Sequence, residues 1–132
     1  MRVFLDTNVL VSAFTARGLC ADLYELVTVR HELVIGIPVK TELSRILEHK
    51  LRVPPATLAR IIRLLDEFEQ LPAAKLPADV SIDDPADAAV VASAIAGRAD
   101  VIVTGDKALQ DLRRVASIPV VSPRQCWIAL AS

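Results

Sequence analysis

The residues of this chain that could do chemistry are carboxylates standing where apolar runs end. Asp6 closes the run Val3-Phe4-Leu5, and Asp106 follows Val101-Ile102-Val103-Thr104-Gly105. Asp87 stands in Asp84-Pro85-Ala86-Asp87-Ala88-Ala89-Val90-Val91, and Glu42 in Pro38-Val39-Lys40-Thr41-Glu42-Leu43-Ser44-Arg45. Acids that converge from strand ends and helix starts repel one another, and a hard divalent cation such as magnesium, which prefers oxygen ligands, would offset that repulsion. A cation held this way lowers the pKa of a bound water, orients a phosphodiester and neutralises its developing charge. Other chemistries lack their residues. The chain has no glycine-rich phosphate loop and no nucleophile elbow, and His31 and His49 are isolated from any cysteine partner.

Each acid also has a plainer role open to it. Asp87 heads the apolar stripe Val90, Val91, Ala94 and Ile95 of its own helix, where a lone carboxylate is costly. Yet with Asp84 as N-cap and Pro85 as first helical residue, Asp87 also comes close to completing a capping box and favours the helix dipole. Asp84 is near enough to be the ligand instead; Asp87 is preferred because it faces the core. Glu42 borders its helix's apolar stripe but could simply pair with Arg45 at the surface. Asp106 could serve as a turn residue or cap a helix starting near Lys107. Asp6 has the weakest alternative, since Thr7 and Asn8 are equally good caps for the helix that follows it.

The elements that must position these acids alternate. Short buried strands are expected at residues 2–5, 33–37, 101–103 and 119–121. Helices are expected at 8–15, 20–30, from Pro38 to about residue 50, at 56–70, from Asp84-Pro85 to near Gly97, at 107–114 and at 123–131. The clearest amphipathic pattern is 56–70, with Leu58, Ile61, Ile62, Leu65 and Phe68 on one side. That face could be core, dimer seam or a groove for a partner. Residues 72–83, with Pro72 and Pro77, read as a loop with room for a short strand near Val80. The alternation predicts an α/β fold, a parallel sheet covered on both faces, in which ligands bind beyond the carboxyl ends of the strands. Asp6 and Asp106 fall at such ends.

Composition bounds the rest. At 132 residues, 53% hydrophobic and 23% charged, the chain suits one globular domain spanning 1–132. Its formal net charge of −1 carries no global basic signature of a nucleic-acid binder, leaving only a local basic rim, for which Lys40, Arg45, Lys107 and Arg113 are candidates. No apolar run reaches membrane-spanning length and no signal peptide is visible. Cys20 and Cys126, in no metal-ligand spacing, read as neutral thiols, which favours a reducing, cytoplasmic setting.

Taken in order, Leu5-Asp6-Thr7-Asn8, Glu42, Asp87-Ala88 followed by Val90, Ala92 and Ala94, and Val103-Thr104-Gly105-Asp106 make the chain resemble a PIN domain of the VapC-like kind, the toxins of type II toxin–antitoxin systems. The resemblance covers nearly the whole chain and implies a three-layer α/β/α sandwich with a parallel central sheet. It implies an endoribonuclease dependent on magnesium or manganese, with Asp6, Glu42, Asp87 and Asp106 as the acidic site. Thr104 matches the hydroxyl residue beside the last acid, and Asn8 a polar residue that orders the first. It further implies a homodimer and a small protein antitoxin that covers the site.

Two other readings compete. A receiver-like domain also gathers acids around magnesium, but would need an acid pair after the first strand, where Thr7 and Asn8 stand. A PIN-like module that binds RNA or protein without cutting would be signalled by a lost acid, and all four are present.

Overall fold

Val3, Phe4 and Leu5 form an uninterrupted apolar run with no polar alternation, as expected of a strand buried on both faces. In the computed structural model, which describes residues 1–132, they belong to β1 (Arg2–Leu5), and all three are buried. The chain continues through α1 (Thr7–Thr15), α2 (Leu19–Arg30), β2 (Glu32–Gly36), α3 (Ile37–Arg45), a π-helical turn (Ile46–Lys50) and α4 (Pro55–Leu65). There follow β3 (Glu69–Leu71), α5 (Pro85–Ala96), β4 (Val101–Val103), α6 (Lys107–Gln110), β5 (Arg114–Val115), β6 (Ile118–Val121) and α7 (Pro123–Leu130). No helix is long and apolar enough to cross a membrane.

The strands form a sheet in the order β3-β2-β1-β4-β6-β5, parallel throughout except for β5, which runs antiparallel to β6. Flanked by helices, it makes a three-layer α/β/α sandwich. From β1 the chain steps outward to β2 and β3, then returns through α5 to β4 on the other side of β1, and steps outward again to β6. The order therefore reverses between β1 and β4, the switch point at which α/β sheets open a crevice beyond their carboxyl ends.

The opposite end of the sheet is tied by Arg2. Its guanidinium donates to Glu32 at 2.7 Å, to both oxygens of Glu69 at 2.7 and 3.0 Å, and to the carbonyl of Gly97 at 2.7 Å. The starts of β1, β2 and β3 are thereby joined to the end of α5. Gly36 at the end of β2 is held by close approach: a Cβ there would stand 2.8 Å from Ser93 Oγ and 2.9 Å from the Phe4 ring.

Several expectations are corrected. The helix expected at 56–70 stops at Leu65, because Glu69–Leu71 extend to pair with Val34–Gly36. On α4, Ile61 and Leu65 are buried, with Leu58 and Phe68 packed against the core. Residues 72–83 contain no strand; Val80 packs on the core from an irregular segment. The helix expected at 107–114 lasts only to Gln110, and a hairpin, β5 to β6, takes its place. Both cysteines are free; burial raises both thiols, Cys126 to about 11, and keeps them protonated.

Candidate functional site

Asp6 leaves β1 at the switch point and caps α1 itself, contrary to the expectation that Thr7 or Asn8 would do so. Its Oδ1 accepts from the Thr7 N–H at 2.7 Å. Its Oδ2 accepts from the Thr104 hydroxyl at 2.7 Å and from Asn8 Nδ2 at 3.3 Å. Asn8 is not free to cap because its amide spans the gap to the next strand, its Oδ1 accepting from Gly105 N–H at 2.8 Å. Thr104 is fully buried, and its Oγ1 also accepts from the Asp106 N–H at 3.0 Å. One hydroxyl thus joins the two acids that end β1 and β4.

Gln110 escaped the sequence reading. Its amide donates to the Thr104 carbonyl at 2.7 Å, folding the end of α6 back over the loop. A glutamine at a helix end carries no signal for such a role. Asp106 caps α6, its Oδ1 accepting from Ala108 N–H at 2.8 Å.

Asp87 is the third residue of α5, and Asp84 is the N-cap, accepting from the N–H groups of Ala86 at 2.8 Å and Asp87 at 3.0 Å. The Asp87 carboxylate returns no bond to the Asp84 backbone, so the capping box is half formed and both Asp87 oxygens are free. Glu42 is half-buried on α3 and forms no ion pair with Arg45. Lys40 does not belong to a basic rim: its ammonium is held by Asp66 at 2.6 Å and Gln70 at 2.7 Å.

The four acids feel one another. Burial pushes Asp87 up to about 6, with the charges of Asp84, Asp106, Asp6 and Glu42 adding to it. Burial also raises Asp6, which is 5% exposed, against the lowering effect of the Thr104 hydroxyl and Thr7 N–H; Glu42 and Asp106 raise it further. No three Asp, Glu, His or Cys side chains already surround a common point as metal ligands. Asp6 and Asp106 each commit one oxygen to a helix cap. The donor set remaining is nevertheless all carboxylate oxygen, the type that suits magnesium or manganese.

No curated protein matches the chain. Among solved structures, the chain is similar to one in VapBC2 from Rickettsia felis, bound to a DNA fragment from the promoter, at 18% identity over 92% of this chain and 98% of that one, with a TM-score of 0.66. It is also similar to one in DNA-bound VapBC from Salmonella typhimurium, at 20% identity over 93% and 98%, with a TM-score of 0.63. A third likeness is to the PIN domain endonuclease Utp24, at 23% identity over 92% and 84%, with a TM-score of 0.52. At these identities the likeness is one of fold. The family model described as PIN domain matches residues 2–108, which hold all four acids and both strands of the switch point. The chain belongs to the PIN domain family.

Proposed function

We propose that the chain, acting as one PIN-like unit over residues 1–132, is a metal-dependent endoribonuclease and the toxin of a toxin–antitoxin pair. The observation that carries this reading is the gathering of Asp6, Glu42, Asp87 and Asp106 within mutual electrostatic range at the switch point of a PIN-family sheet. Asp6, Asp87 and Asp106 would hold magnesium or manganese, with Glu42 sharing the ion or a second one. When bound, such an ion supplies charge neutralisation at a phosphodiester and a more acidic water.

The chain's own residues do the rest. Thr104 and Asn8 fix the Asp6 carboxylate in one orientation through Oδ2, and Thr7 N–H fixes it through Oδ1. Supporting hydrogen bonds of this kind orient a carboxylate ligand and favour its ionised form. Asp87, pushed up to about 6 by burial and its acidic neighbours, carries a charge that a bound cation would stabilise. Glu42 has both oxygens free, either to share the ion or to accept a proton from the water attacking in line. The likeness to VapBC assemblies supports a small protein antitoxin as partner. Exposed Val29 and Ile128 offer apolar surface for a protein contact, and the working form is a cytoplasmic homodimer.

The test is cleavage of a mixed RNA pool by purified protein with magnesium or manganese, beside EDTA and Asp6→Asn. The asparagine keeps an oxygen for the Thr7 N–H, and circular dichroism checks that the variant is folded. Metal-dependent cutting that Asp6→Asn abolishes is expected. Cutting that survives in the folded variant would refute the site. Metal-dependent stabilisation and RNA binding without cutting would replace the nuclease by a non-cleaving binding module.

A further inference from the structure

An open groove of about 440 Å3 runs between α3 and α5, beginning at Glu42. Its walls are Ile37 and Pro38 on one side and Ala86 and Ala89 on the other, with Arg45 at its edge. The alanines keep it wide, and Ile37 is 39% exposed. Arg45 is exposed and has no ion-pair or side-chain hydrogen-bond partner. A concave apolar slot with a few placed polar groups is the form of a small-molecule or nucleotide site.

Charge is uneven along the chain. Residues 45–63 contain Arg45, Lys50, Arg52, Arg60 and Arg63 against the single acid Glu48. None of these cations is spent on an ion pair. On the other flank of Asp87 lies a second groove of about 410 Å3, lined by Asp83, Asp84 and Asp87. Between Lys75 and Arg98 the chain has no cation at all. The three aspartates of the second groove repel a polyanion, whereas unpaired Arg45 at the edge of the first attracts one.

We infer that the α3–α5 groove is a nucleotide subsite. A base of the RNA strand packs between Ile37-Pro38 and Ala86-Ala89, and Arg45 meets the adjoining phosphate. The strand thus leaves the acids over α3, not over the Asp83–Asp84 side. This subsite rests on the ribonuclease reading for its substrate class, and it adds a source of base preference and of strand direction.

The test uses the full chain in the Asp6→Asn background, with a short fluorescein-labelled random-sequence RNA read by anisotropy across a salt series. Ala89→Leu fills the groove from a half-buried helix position, and Arg45→Gln changes an exposed side chain. Each is expected to weaken RNA binding about tenfold. The Ala89→Leu loss persists at high salt. The Arg45→Gln variant flattens the salt dependence by about 0.7, the value of one single-strand phosphate contact. In the cleaving background, Ala89→Leu changes which nucleotide flanks the cut. Folded variants that bind and cut like their parents overturn the subsite. So does an Ala89→Leu variant that loses a purified partner protein while keeping RNA, which gives the groove to a peptide. RNA binding that both substitutions weaken, without cleavage by the wild-type chain, upholds the subsite and removes the nuclease reading. Cleavage unchanged by either substitution does the reverse.

Discussion

Replacing Asp87 by Asn should stabilise the metal-free protein, and by an amount that depends on pH. Asp87 is pushed from its ordinary 3.8 up to about 6, first by burial and then by Asp84, Asp106, Asp6 and Glu42. At about 1.4 kcal/mol per pH unit, the full displacement would cost the ionised folded state about 3 kcal/mol. Water reaching this half-buried carboxylate screens that to roughly 1–2 kcal/mol. The favourable first-turn helix dipole, worth about 0.3–1 kcal/mol, trims it to about 1 kcal/mol. The sign follows from proton binding. Between 3.8 and about 6 the folded chain holds a proton that the unfolded chain has released. This contribution to stability is therefore complete below the unfolded pKa and lost as pH rises through the folded one. Asparagine, always neutral, keeps it. In EDTA at pH 8, Asp87→Asn should melt roughly 3–5 °C above wild type. The gap should shrink by roughly half near pH 5. Saturating magnesium or manganese should reverse the order, since only the wild type has the full set of ligands. Thermal melts by circular dichroism across pH 5–8 measure all of this. A variant that melts below wild type at pH 8, or a gap indifferent to pH, would mean that Asp87 serves as a helix-start acid and is not held against its neighbours' charge.

Other substitutions test the scaffold. Thr104→Val keeps the shape but leaves Asp6 Oδ2 and the Asp106 N–H without their shared hydroxyl. It should lower stability by about 2–4 kcal/mol, read as a drop in urea midpoint at constant m-value, while Thr104→Ser recovers most of the loss. Gly36→Ala places a methyl against Ser93 Oγ and the Phe4 ring. Overpacking of this kind should cost about 1–3 kcal/mol; an unchanged midpoint would show that α5 gives way freely.

The strands that carry the site were legible because buried parallel strands announce themselves as unbroken apolar runs, as at Val3–Leu5 and Val101–Val103. Asp6, Asp87 and Asp106 stand out because each follows or heads an apolar stretch, whereas Glu42 only borders the apolar stripe of its helix. Elements whose existence depends on a distant partner were not. Phe68 lies at helical spacing after Leu65, yet pairing of Glu69–Leu71 with β2 draws the chain out of the helix, and no glycine or proline marks the change before Pro72. The β5–β6 hairpin turns at Ala116 and Ser117, both at positive φ, 46° and 70°. Such turns usually advertise themselves by Asn-Gly or Asp-Gly, and here they do not. At the site, the sequence alone does not single out the cap of α1, because three consecutive residues, Asp6, Thr7 and Asn8, are all capable caps. Only the neighbouring strand, through Thr104 and Gly105, decides that Asn8 is occupied elsewhere.

The pairing of β6 with β4 reaches beyond architecture. Val121 accepts the Thr104 N–H at 3.0 Å, and Val120 and Val121 stand opposite Ile102 and Val103. A fragment ending at residue 108, where the family match stops, would retain Asp6, Glu42, Asp87 and Asp106 but leave β4 as a bare apolar edge. An uncovered edge of that kind recruits strands from other chains. Such a fragment would self-associate into aggregates through the strand that carries Thr104, so the segment from β5 to α7 acts as the protein's guard against polymerisation at its own site.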